Sequence, residues 1–95
     1  MHYTPPSPED LQRLKAALGY TGDQMAELAG LAGNRQWRKY TGGEAPRDMN
    51  QHMAFFTAAR LVLTPDELER VGAKMREMGA GVEPGALAHR RPDAG

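Results

Sequence analysis

The sequence has 95 residues, about a quarter charged and 40% apolar, with twelve Lys/Arg exactly balanced by twelve Asp/Glu. That length suits one small domain. The longest stretch without a charge, Met49 to Ala59, carries Asn50, Gln51, His52 and Thr57, so nothing approaches the roughly 18 apolar residues of a membrane span. With no cysteine, disulfides and zinc–thiolate centres are excluded. No charged leader followed by an apolar stretch opens the chain, so the expectation is a cytoplasmic protein without a signal peptide. A core of this size is thin, and a partner chain is expected to help.

Strand signals are nearly absent, whereas helix punctuation recurs. Ser7-Pro8-Glu9-Asp10 reads as an N-cap, a proline at the first helical position and two acids that complement the helix dipole. Leu11, Leu14 and Leu18 then form one apolar stripe, and Gly19 is suited to the left-handed stop. The first helix is therefore predicted over Pro8–Leu18. Thr21-Gly22-Asp23-Gln24 is a capping box. It opens a short helix over Gly22–Ala29, with Met25, Leu28 and Ala29 inward and Gly30 as its stop. Alone, such a helix is marginal in water and needs neighbours.

A Gly30-Leu31-Ala32-Gly33 turn leads to Asn34-Arg35-Gln36-Trp37-Arg38-Lys39-Tyr40. At about 100° per residue, Trp37 and Tyr40 share one side while Arg35 and Lys39 point almost oppositely, with Arg38 beside them. Thr41-Gly42-Gly43 ends this third helix. A fourth is predicted over Arg47–Leu63, with Met49, Met53 and Phe56 as core and Phe55, Ala59, Val62 and Leu63 broadening its apolar surface. Thr64-Pro65-Asp66-Glu67 is a third capping box. It starts a helix over 65–79 whose Leu68, Val71, Met75 and Met78 repeat at three, four, three, the narrow seam of a pairing helix. This seam either caps the domain's own core or forms a two-fold interface, and the interface is the preferred reading. From 81 to 95 the composition predicts a flexible tail.

Five helices make an all-α domain over 1–80, and the second and third, joined by a tight glycine-containing turn, form a helix-turn-helix over about 21–41. In this context the chain resembles the lambda-repressor/Cro-like, or XRE-like, helix-turn-helix family. The resemblance rests on Ala26, Gly30 and Leu31 in the first motif helix and after it, and on Trp37, Tyr40, Gly43 and Pro46 from the second helix onward. It covers roughly Leu11 to Leu63. Trp37 lies eleven residues from Ala26, where the family pattern has ten, so one extra residue is expected in the turn or the first turn of the third helix. The resemblance implies a compact five-helix fold and a DNA-binding transcription regulator, commonly a homodimer on an inverted repeat.

The residues point the same way through their chemistry. The major groove admits one α-helix, Arg forks onto guanine, and Asn or Gln pairs with adenine. Asn34, Arg35, Gln36 and Arg38 offer these groups within a turn and a half. Lys39 and Arg47 are better suited to phosphates, which position without specifying sequence. Gln24 is a further contact at the start of the second helix, while Asp23 argues against close phosphate approach there. From Gly33 to Arg47 four cations face Glu44 alone, although the chain as a whole has no basic field. The plain alternative is a solvated helix face, and Trp37 and Tyr40 read as core anchors rather than base-stacking platforms.

No enzyme is expected. His2, His52 and His89 are too scattered for a metal set. Ser7 is the sole serine and is explained as a cap, and no phosphate-binding glycine loop or nucleophile elbow occurs. No cofactor is expected. The resulting expectation is a repressor binding double-stranded DNA as a homodimer, with half-site centres about 34 Å apart, on a scale suited to a phage, mobile-element or toxin–antitoxin regulator. Zero net charge favours the alternative, a protein-interaction module on the same scaffold, such as an antitoxin or an inhibitor of another protein.

Overall fold

Three of the helices begin where a hydroxyl residue turns back onto the third amide. In the computed structural model, which describes residues 1–89, Ser7, Thr21 and Thr64 each accept from the backbone three residues on, and Asp10, Gln24 and Glu67 each accept from the cap's own amide. The elements are α1 (Pro8–Leu18), α2 (Gly22–Leu28), α3 (Asn34–Thr41), α4 (Gln51–Val62) and α5 (Pro65–Glu77). The architecture is all-α, with no strand among the described residues.

One boundary differs clearly from the sequence reading. α4 starts at Gln51 rather than Arg47, because Asn50 is its cap. The Asn50 side-chain oxygen accepts from the Met53 amide at 2.8 Å, and its carbonyl accepts from Ala54 at 3.0 Å. Arg47 instead donates its amide to the Lys39 carbonyl at 2.7 Å, which holds it beside the end of α3.

The chain divides within α4 into two units, Met1–Thr57 and the residues from Ala58 onward. In the first unit, α3 packs against both α1 and α2. Leu11, Tyr20, Met25, Ala26, Leu28, Ala29, Trp37, Tyr40 and Met49 form its buried core. Trp37, Met25 and Leu28 are the largest side chains sealed completely, so α2 and α3 are fixed by the interior they share. Leu14 and Leu18 continue the α1 stripe at partial burial. The Tyr3 hydroxyl donates to the Met49 carbonyl at 2.6 Å. Burial and the neighbouring Asp48 carboxylate both raise the Tyr3 pKa above its ordinary value.

α2 ends in a Schellman motif. Gly30 donates to the Glu27 carbonyl and Leu31 to that of Ala26, with Gly30 at φ +77°. A Cβ there would lie 3.0 Å from the Phe56 ring. Gly30→Ala therefore meets both the left-handed penalty and a crowded aromatic, and is expected to cost about 2 kcal/mol. A lower urea midpoint with an unchanged m-value would register this, and an unchanged midpoint would refute it.

The α4 stripe is only partly interior. Met49 is buried and Met53 and Phe56 are half-buried, but Phe55 and Val62 are exposed. These two therefore broaden the apolar surface of α4 on its outside and not in the core.

The second unit contains the end of α4, α5 and a following segment. Leu68 is buried, and so is Arg60, whose Nε and Nη2 donate to the Leu87 and Ala88 carbonyls at 3.0 and 3.1 Å. The expected tail thus opens with a hydrogen-bonded stretch containing a turn at 84–87. Its remainder, 90–95, lies outside the described residues. Glu69 accepts from the Gly85 amide and from Arg76, both at 2.9 Å. These bonds, the backbone one first, hold its carboxyl below the usual range. No helix among the described residues is long and apolar enough to cross a membrane.

Candidate nucleic-acid interface

α3 sorts its own side chains. Trp37 and Tyr40 are 1% and 7% exposed, while Arg35, Arg38 and Lys39 on the opposite arc are open to solvent. The sorting follows from helical geometry: once the aromatics enter the core, residues about 130–170° round from the middle of that pair must point outward. Among the described residues, no ion pair engages these three cations or Arg47.

Beyond α3 the chain folds back beside it. The Arg47–Lys39 backbone bond closes a loop over Gly42, Gly43, Glu44 and Ala45. Together with α3 this loop bounds an open hollow of about 620 Å³, lined also by Asn34, Arg35, Arg38, Lys39 and Arg47. Five of the seven residues proposed from sequence therefore meet on one surface. Glu44 is the sole acid among the lining residues, so four cations outweigh one anion, an arrangement that attracts polyanions despite a neutral chain.

Gln24 and Gln36 do not line this hollow. Gln24 sits at the start of α2 with its Oε1 engaged by the Thr21 amide at 2.7 Å. Gln36 is half-buried on the flank of α3, about 100° round from Arg35. Asn34 has a second task, because its carboxamide occupies the space that a Cβ on Gly22 would need. The starts of α2 and α3 are thereby in contact.

That junction contains the residue whose part the sequence did not reveal. Gly33, at φ 178°, gives α3 no side-chain cap. The cap comes from Asp23, whose Oδ1 accepts the Asn34 amide at 2.8 Å. No local motif signals this, since the two residues are eleven apart and meet only when the helices pack. Asp23→Ala is expected to cost about 1 kcal/mol, a typical helix-cap loss, and to fray the first turn of α3. Faster amide exchange at Asn34 and Arg35 would report it, and unchanged exchange would contradict it. α3 is regular from Asn34, and residues 29–33 form the connection to it from α2.

The proposed dimer seam is divided. Leu68 is buried in its own chain, Met75 is half-buried, and Val71 and Met78 are exposed. Only the latter three could meet a partner. Among the described residues, no group of His, Asp and Glu could hold a metal ion.

No family model, curated protein or solved structure matches the chain.

Proposed function

We propose that this chain is a sequence-specific DNA-binding regulator with a lambda-repressor-like helix-turn-helix, in which α2 and α3 form the motif and α3 enters the major groove. The observation that carries the reading is the two-sided third helix. Trp37 and Tyr40 seat it on the core, and Arg35, Arg38 and Lys39 stand outward with Arg47 alongside. Arg35 and Arg38 have the forked donors that read guanine, and Lys39 and Arg47 hold backbone phosphates. Binding as a homodimer on an inverted repeat and repression by occluding a promoter complete the proposal.

Selection from random duplexes tests it directly. A recovered inverted-repeat motif, bound with an affinity that falls steeply as salt rises, is the expected result. Selection that returns no motif ends the proposal. A second reading, a protein-docking module, is favoured by Phe55, a large aromatic 74% exposed, and by zero net charge. Failure to retain any DNA at low salt would select that reading.

A further inference from the structure

Glu44 is an acid placed where cations gather, and no cation of the protein pairs with it. It is exposed and lines the same hollow as Arg35, Arg38, Lys39 and Arg47, yet among the described residues no ion pair engages its carboxylate. The backbone fixes its place. The Gly42 amide donates to the Arg38 carbonyl at 3.0 Å, Gly43 turns the chain at φ +85°, and the Arg47 amide donates to the Lys39 carbonyl at 2.7 Å. The loop is thus pinned to α3 at both ends, with Glu44 between the two bonds. A free carboxylate there repels the phosphates that the cations attract. It costs affinity unless the ligand offers it a donor.

Few donors face the major groove. Guanine presents O6 and N7, both acceptors, and thymine presents the O4 acceptor and a methyl group. Adenine presents an N6 amine, but the N7 acceptor stands beside it. Cytosine presents its N4 amine with no acceptor on its own ring edge, so it satisfies a carboxylate without an opposing lone pair. The guanine paired with that cytosine offers O6 and N7 to a guanidinium fork, and Arg35 and Arg38 line the hollow together with Glu44. Acid and guanidinium match the two halves of one C·G pair.

We infer that Glu44 is a specificity-determining residue of the proposed DNA site, accepting from the N4 amine of a cytosine in each half-site while its charge weakens binding to duplexes that lack this cytosine. The inference deepens the DNA-binding reading and rests on it.

The experiment is random-duplex selection with the full-length wild type, Glu44→Ala and Glu44→Gln, followed by anisotropy on the recovered sites. The wild-type motif should hold a cytosine at one position of each half-site. Glu44→Ala should lose preference at that position alone, by roughly fivefold or more, and should bind random duplexes more tightly than the wild type. Glu44→Gln should shift that position toward adenine, whose N6 and N7 a carboxamide pairs. The inference alone is overturned if the wild type selects a motif and both variants select the same one. A variant-sensitive position that is not cytosine also overturns it, as does a preference lost equally at every position, which would make the loop a support for α3. A wild type that selects no motif ends the DNA-binding reading itself and this inference with it, so the two failures are distinguishable.

Discussion

Trp37→Ala is expected to remove about 3–5 kcal/mol of stability, the range for truncating a fully buried Trp. Trp37 is 1% exposed and is among the three largest side chains that the protein seals completely. Small domains have roughly 5–15 kcal/mol in total, so the loss is a large share of what holds α1, α2 and α3 together. The cavity lies beneath the cationic helix, so α3 would lose its seat together with its stability. Trp37 is the protein's single tryptophan. Tryptophan fluorescence therefore follows unfolding in the wild type but is lost in the variant, and urea unfolding by far-UV circular dichroism is the measurement to compare. Trp37→Phe, which keeps an aromatic ring in the site, should show a smaller shift. A Trp37→Ala midpoint equal to that of the wild type would remove this residue from the core.

Arg35→Ala and Arg38→Ala should leave folding almost unchanged, because both side chains are exposed and have no ion-pair partner among the described residues. Under the DNA-binding proposal, each is expected to weaken binding by about 1–3 kcal/mol, or roughly 5- to 150-fold, and to relax preference at one base pair. Lys39→Ala is expected to behave differently. It should weaken all sequences alike and reduce the slope of log affinity against log salt by about one, as for the loss of one phosphate contact. The contrast between a change in specificity and a uniform change separates base reading from backbone positioning. If both arginine variants bound selected and random duplexes with wild-type affinity, α3 would not be the reading helix.

Much of the local structure was legible in the sequence because its causes are local. The boxes at Ser7, Thr21 and Thr64 join residues three apart, and each starts its helix where the pattern places it. Gly30 stops α2 because only a residue free to adopt positive φ completes the Schellman bonds. The fourth helix reads four residues too early in the sequence, from Arg47 rather than Gln51. The deciding cap is Asn50, while Arg47 is drawn to the end of α3 by a backbone bond that no spacing rule contains. The exposure of Phe55 and Val62 was similarly hidden, since hydropathy reports what a side chain can bury and not whether a neighbour arrives to cover it.

For the candidate site, the sequence by itself determined the composition of each face of α3. A period of about 3.6 residues places Arg35, Arg38 and Lys39 opposite Trp37 and Tyr40 in any helix built from that stretch. Tertiary structure decided which face turned inward, that Arg47 and the Gly42–Ala45 loop stand beside the cations, that Asp23 caps α3 from another helix, and that Arg60, Glu69 and Arg76 grip residues 82–88. These outcomes depend on groups far apart in sequence, whose hydrogen bonds and buried contacts exist only once the chain has brought them together. Local patterning can place a charge on a helix, but only packing determines what that charge will meet.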